Sequence, residues 1–136
     1  MPHHPLSTEL VMLGCAAALV ILQIVLQSSA AMFVHKPAFL MGNRDNVPAG
    51  VDNVYLGRIN RALHNLLETF PLFAAVTLGV VVAGRTGGMA ALGAQIYVWS
   101  RTIYLPVYII GIPGLRTLIW LASMVGIVMI LRVLLA

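Results

Sequence analysis

The sequence is poor in charge. Only 9% of its 136 residues are charged and only four are acidic, whereas 60% are hydrophobic and the mean hydropathy is +0.96. A soluble globular domain has about a quarter of its residues charged, so this composition excludes an ordinary soluble enzyme or binding module. It predicts an integral membrane protein in contact with membrane lipids.

Cysteine is almost absent as well. Cys15 is the single cysteine, which excludes an internal disulfide and a metal site built from several thiolates. We expect it to be a small buried packing residue rather than a reactive thiol. The adjacent His3 and His4 have no carboxylate or further histidine nearby, so we expect no metal site there. The sequence also contains no HExxH, GxSxG or glycine-rich phosphate-binding motif.

Long apolar stretches, in contrast, are abundant. Residues 10–34 are 25 consecutive positions without a charge, enough helix to cross a hydrocarbon layer of about 30 Å at about 1.5 Å per residue. The same argument predicts four transmembrane helices, at about 8–35, 58–84, 88–110 and 115–135. We therefore predict an all-α membrane protein, a four-transmembrane-helix bundle that forms one domain over residues 1–136, with an irregular polar link at 35–56.

Basic residues are distributed unevenly between the two ends of these spans. Arg85 and Arg132 lie at one end, and a larger group lies at the other: Lys36, Arg44, Arg58 and Arg116. Because cytosolic loops of membrane proteins carry the excess of lysine and arginine, we expect both termini to lie outside the cytosol. This bias accounts for the net charge of +4, so the high pI does not indicate a nucleic-acid partner.

Two of the predicted spans carry a stripe of polar side chains. With about 100° per helical residue, the polar residues of the second span share one side of the helix: Arg61, His64, Asn65 and Glu68. Those of the third span fall within an arc of about 60°: Tyr97, Arg101, Tyr104 and Tyr108. Because exposing such groups to lipid is costly, both stripes should face the interior of the bundle.

Glu68 and Arg101 are predicted to lie at the same depth. Glu68 is about 15 Å from the start of its helix and Arg101 about 13 Å from the end of its own, on the same side of the membrane. Each would cost several kcal/mol unpaired in lipid, so we expect them to pair. One interpretation is that such a pair has no function beyond holding the helices together, as polar side chains do in many membrane proteins. However, the arginines, asparagine and tyrosines of the cleft outnumber its carboxylate, which favours an anionic ligand with several carboxylates.

The two stripes resemble known motifs. The segment RALHNLLETFPLF is similar to the second-helix signature of the MAPEG family (membrane-associated proteins in eicosanoid and glutathione metabolism), roughly R-x-x-x-N-x-x-E-x-x-P. Its fixed positions are occupied by Arg61, Asn65, Glu68 and Pro71. The segment YVWSRTIYLPVYIIGIPGLRTLIW resembles the family's third-helix stripe and the arginine that opens the fourth helix, here Arg101, Tyr104, Tyr108 and Arg116. The resemblance covers about residues 10–135.

This resemblance implies a homotrimer that binds glutathione as co-substrate between subunits near the cytosolic face. The implied activity is that of a glutathione transferase or peroxidase acting on a hydrophobic small-molecule or lipid substrate. Arg116 is the candidate activator of the glutathione thiol, because a nearby cation favours the thiolate. Tyr108 could bond to the tripeptide or to its sulfur. The implied binding residues are Arg61, His64, Asn65, Glu68, Tyr104, Tyr108 and Arg116, with Arg101 supporting Glu68.

Two other functions stay open. A protein of the same fold can bind lipid or act as a scaffold without catalysis, because a fold does not fix a function. A small transporter is disfavoured, since the polar residues cluster near one side instead of lining a path across the bilayer. Outside the stripes, we interpret Trp99 and Trp120 as packing or lipid contacts. Small residues four apart, Gly14 with Ala18 or Gly79 with Ala83, could permit close helix contacts.

Overall fold

The described part of the chain is entirely helical. The computed structural model describes residues 5–43 and 53–136, and within them it contains five helices and no strand. The all-α fold predicted from the sequence is therefore confirmed. His3, His4 and Arg44 lie outside the described residues. The helices are α1 Thr8–Val34, α2 Pro37–Met41, α3 Val54–Val82, α4 Gly88–Ile110 and α5 Pro113–Leu135.

Three of these helices are long and apolar enough to cross a membrane. Within the described residues they are α1, α3 and α5, which supports an integral membrane protein. Helix α4 has 23 residues and is long enough, but it is not among the three. Its polar side chains include Gln95, Arg101 and three tyrosines, which lower its hydropathy. The four-span bundle therefore stays a prediction.

Local capping sets the helix starts. The Ser7 side chain accepts a hydrogen bond from the Leu10 backbone, and the Asn53 side chain accepts two from the first turn of α3. Because an asparagine cap satisfies otherwise unpaired amide groups, α3 begins at Val54 rather than near residue 58. The predicted irregular link at 35–56 is wrong in its first part, where Pro37 opens the short helix α2. Proline suits this first helical position because it lacks the amide hydrogen that would have no partner there.

Helices α4 and α5 cross at two glycines. A Cβ atom added to Gly93 would lie 2.7 Å from the Gly126 carbonyl oxygen, and one added to Gly126 would lie 2.6 Å from that of Gly93. The backbones therefore touch directly, which only glycine allows. Of the two alternatives that the sequence offered, Gly79 packs closely against Leu134 on α5, whereas a Cβ atom added to Gly14 would have nothing within 4 Å among the described residues. The close contact at Gly79 is therefore the one that the described chain contains.

Polar contacts fasten the end of the bundle that holds the α3–α4 turn. Arg85 donates hydrogen bonds to the carbonyl oxygens of Val133 and Leu134, both at 3.1 Å, and so caps the end of α5. Glu9, only 1% exposed, accepts a hydrogen bond of 2.6 Å from the backbone amide of Gly87. These contacts join the start of α1, the α3–α4 turn and the end of α5. The polar stripes lie toward the opposite end of the bundle.

Candidate functional site

The polar stripe of α3 is divided between the inside and the outside of the chain. Arg61, His64 and Glu68 are exposed, whereas Asn65 is half-buried and faces α4. His64 Nε2 lies 3.3 Å from Glu68 Oε1, and the two side chains are 79% and 59% exposed. Three of the four predicted residues of this helix therefore lie on the surface of the single chain.

Arg101 is buried in the middle of the bundle and its partner is Asn65. Its side chain is 1% exposed, and Nη1 donates a hydrogen bond of 2.6 Å to Asn65 Oδ1. The predicted pair of Glu68 with Arg101 is therefore wrong for the described chain: Glu68 pairs with His64 instead. Asn65 and Glu68 share a helix face, but Asn65 is one turn closer to the helix start and points more directly at α4. The Nε and Nη2 atoms of Arg101 have no hydrogen-bond partner among the described residues.

Two arginines and three tyrosines form a continuous series of contacts along α4 to the start of α5. The Arg101 guanidinium carbon lies 5.6 Å from the ring centre of Tyr97 and 5.3 Å from that of Tyr104. Tyr104 and Tyr108 have ring centres 5.4 Å apart, and the Arg116 guanidinium carbon lies 4.9 Å from the Tyr108 ring centre. Since an aromatic face attracts a cation within about 6 Å, these rings hold both arginines in place. We call these five residues the arginine–tyrosine column.

Tyr97 belongs to the packed core rather than to the cleft. Its ring stacks on Phe73 with centres 4.0 Å apart and an interplanar angle of 12°, and its hydroxyl lies 3.1 Å from Thr69 Oγ1. Both Tyr97 and Thr69 are buried. Sequence reasoning did not identify Thr69 or Phe73, because one hydroxyl and one ring in an apolar helix give no distinctive pattern. Their contacts with Tyr97 hold this tyrosine in place at the inner end of the arginine–tyrosine column.

A small cavity opens where α3, α4 and α5 meet. It has a volume of about 140 Å³ and brings together three predicted site residues, Asn65, Tyr104 and Arg116. Thr117 and Trp120 complete its lining, so Trp120, interpreted from the sequence as a packing or lipid contact, is a wall of the candidate site. Arg61, His64 and Glu68 are not part of this lining. They are exposed on the surface of α3 outside the cavity.

The cavity is rich in hydrogen-bond donors. All five lining residues carry a hydrogen-bond donor, of which the Thr117 hydroxyl donates to the Pro113 carbonyl oxygen within α5. No carboxylate is among the lining residues. Arginine presents several donors in a planar fork that matches a carboxylate. The arrangement is therefore suited to bind an anionic group. Its volume is below the range of about 300–1,000 Å³ typical of ligand pockets, so the cavity of one chain accommodates only part of a ligand of tripeptide size.

Two apolar grooves flank Trp99 on the outer surface of α4. One, between α4 and α5, has a volume of about 460 Å³. The other, between α1 and α4, has a volume of about 360 Å³ and is lined partly by Cys15. Cys15 is exposed, so the prediction that it is buried is wrong. It lies at this groove because other positions of α1, such as Ala16, pack in the core with residues of α4.

Comparison with known families gives one match. The model of the MAPEG family matches residues 12–136, nearly the whole chain. A comparison with curated proteins returns no match. The matched region contains all four long helices except the first four residues of α1, and it includes every residue of the arginine–tyrosine column.

Proposed function

The chain belongs to the MAPEG family, and from this premise we propose that it is a membrane-bound glutathione-dependent transferase or peroxidase acting on lipophilic electrophiles. The family includes glutathione transferases and peroxidases as well as non-catalytic members. The observation that carries the proposal is the convergence of Asn65, Tyr104 and Arg116 on one donor-rich cavity. Glutathione is an anionic tripeptide with two carboxylates and a thiol, and such a cavity suits part of it.

In this proposal Arg116 activates the sulfur. A cation beside a thiol favours the thiolate, which is the nucleophilic form. Arg116 is held against the Tyr108 ring, and the Tyr108 hydroxyl is assigned the role of a donor to the tripeptide or to its sulfur. The thiolate then attacks an electrophilic carbon, forming a thioether and expelling the leaving group with its electron pair. With a hydroperoxide it attacks the terminal oxygen instead: the O–O bond breaks, the alkoxide leaves and takes up a proton, and the sulfur becomes a sulfenic acid. A second glutathione then reduces this sulfenic acid, giving glutathione disulfide and water.

The remaining predicted residues of α3 bind the part of the ligand that lies outside the cavity. The Arg61 guanidinium suits a glutathione carboxylate, and Glu68 suits its ammonium group. His64 lies beside Glu68 and orients it. Arg101 is buried, so in this proposal it does not contact the ligand but supports the site through Asn65.

A second copy of the chain completes the site. The cavity of one chain is small, and the charged side chains of α3 are exposed at membrane depth, where lipid is an unfavourable neighbour. A homotrimer with α3 near its axis covers these residues and encloses the ligand between subunits. The hydrophobic substrate then approaches through the lipid, for which the apolar grooves beside Trp99 offer a path.

The alternative function is non-catalytic lipid binding or scaffolding. The two apolar grooves favour it, because each is larger than the polar cavity and suits an acyl chain. In that case the arginine–tyrosine column would serve only to pack α4 against α3 and α5. The two functions differ in whether glutathione forms a thiolate on the protein.

The test is ultraviolet difference spectroscopy of the purified protein with glutathione, followed by conjugation of a chromogenic electrophile. We expect a thiolate band and conjugation in the wild type, and loss of both in Arg116→Ala. Arg132→Ala is the matched control, because Arg132 lies on the same helix but in its last turn, and it should behave as the wild type. A wild type without a thiolate band or conjugation, or an Arg116→Ala variant with full activity, would overturn the proposal.

A further inference from the structure

A third arginine fastens the corner between α4 and α5. Arg58, in the first turns of α3, donates a hydrogen bond of 2.7 Å to the Ile109 carbonyl oxygen and one of 3.3 Å to that of Ile110. Carbonyl groups at a helix end lack partners within the helix, so a guanidinium placed there caps α4. The sequence alone indicated Arg58 only as a cation on the cytosolic side. The structure gives it contacts across 51 residues of chain.

The corner itself is built to receive this guanidinium. Gly111 has φ 88°, in the left-handed region that favours glycine, and it ends α4. A Cβ atom there would lie 2.8 Å from the guanidinium atoms of Arg58. Any larger residue would therefore push the guanidinium off the carbonyl groups. Arg58 and Gly111 form one unit, in which the glycine leaves room for the arginine that caps the helix.

This corner determines the distance between two residues of the proposed site. Tyr108 is in the last turn of α4 and Arg116 in the first turn of α5, and only Gly111 and Ile112 separate the two helices. The cation–aromatic contact of 4.9 Å between Tyr108 and Arg116 spans this link. Since the link is so short, a change in its backbone moves Arg116 relative to Tyr108 and to the cavity. The hydrogen bonds of Arg58 go to backbone carbonyl groups, so its influence passes through the backbone.

We infer that Arg58 is a positioning residue for thiol activation: its bonds to the end of α4 hold the corner that places Arg116 beside Tyr108 at the cavity. The inference rests on the proposed function. Arg58 acts on the geometry of the Arg116 guanidinium, and an error of about 1 Å in a catalytic group costs rate without preventing ligand binding. The effect should therefore fall on turnover and on thiolate formation more than on the KM for glutathione.

Arg58 also carries a charge on the same side of the molecule, and the charge alone could favour an anionic ligand. Arg58→Lys separates the two explanations, because lysine keeps the charge but has a shorter side chain, whose ammonium group does not extend as far as the Nη1 atom that donates both hydrogen bonds. Arg58→Met removes both the charge and the cap. Arg85→Met is the matched control for the cap: Arg85 makes the same pair of bonds, to Val133 and Leu134, at the far end of α5. Its loss should reduce stability without changing the site.

Two readouts test the inference. The first does not need glutathione: the fluorescence of Trp120, which shares the cavity with Arg116, is recorded in a Trp99→Phe background. We expect its emission to shift in Arg58→Met and Arg58→Lys but not in Arg85→Met. The second is the pH at which the thiolate band of bound glutathione is half developed, together with kcat and KM. For both Arg58 variants we expect kcat to fall by about tenfold with KM changed by less than about twofold, and the thiolate midpoint to move to higher pH.

Each outcome decides the inference. If Arg58→Lys restores the thiolate midpoint and kcat in full, the charge acts and the positioning role is wrong. If Arg58→Met changes the Trp120 emission and kcat no more than Arg85→Met does, Arg58 is only a structural cap. A wild-type protein that forms no thiolate defeats the proposed function, whereas the Trp120 readout still shows whether Arg58 sets the geometry of the cavity. The failure of one is thus distinguishable from the failure of the other.

Discussion

Removing the Asn65 acceptor should destabilise the protein, because it isolates a buried cation. Arg101 is 1% exposed, its Nη1 lies 2.6 Å from Asn65 Oδ1, and its Nε and Nη2 have no partner in the described chain. A hydrogen bond to a charged group contributes about 1.5–3 kcal/mol, so Asn65→Leu should lower the free energy of unfolding by that amount. The contacts with the rings of Tyr97 and Tyr104 remain, which keeps the loss below the cost of about 3–5 kcal/mol for a fully isolated ion.

A double-mutant cycle measures this contact directly. Asn65→Leu, Arg101→Met and the double variant are compared by denaturant titration in detergent, and the double variant should be more stable than the sum of the single losses predicts. Asn65→Asp should be at least as stable as the wild type, because it places a carboxylate where the amide oxygen lies. The control cycle combines Glu68→Gln with Arg101→Met and should be additive within about 0.5 kcal/mol. Additive losses in the first cycle, or coupling in the control, would refute the assignment.

Three further outcomes are expected. Arg116→Ala should lower turnover by about tenfold or more and raise the pH at which bound glutathione ionises, measured by rapid kinetics and thiolate absorbance; an unchanged midpoint would contradict its role. Gly126→Ala should cost about 1–3 kcal/mol of unfolding free energy, since its Cβ would meet the Gly93 carbonyl, whereas Gly14→Ala, in open space, should cost nothing. Cross-linking in mild detergent should stop at three subunits; a monomer or dimer that retains glutathione binding would defeat the trimer.

Hydropathy and helical spacing predicted much of this molecule. Apolar runs alone indicated an all-helical membrane protein, and a spacing of three or four residues placed Arg101, Tyr104 and Tyr108 on one side of α4, where the column has them. The contact of Asn65 with Arg101 could not be derived in this way. Residues three apart on one helix differ by about 60° and 4.5 Å, and such small differences decide which of them meets a neighbouring helix.

Contacts made by the backbone were also invisible in the sequence. The crossing at Gly93 and Gly126 depends on how the two helices tilt relative to each other. Neither glycine has sequence neighbours that distinguish it from the other glycines of the apolar segments. From the sequence, Arg58 was recognised only as a cation. Its hydrogen-bond partners are backbone carbonyl groups, which every residue has, so the residue pattern does not indicate them. Trp120 lines the cavity because the side of α5 that carries it faces α3. The residue pattern of α5 does not indicate which of its sides faces α3.

Helix α4 has three fixed points along its length, and these make it intolerant of insertions and deletions. Gly93 must meet α5, Arg101 must meet α3, and Tyr108 must meet the start of α5. One residue added or removed between any two of them turns the rest of the helix by about 100° and shifts it by about 1.5 Å. The outward positions between these points, such as Ile103, are exposed and can vary in side chain. The number of residues in α4 is therefore constrained more tightly than the identity of most of them.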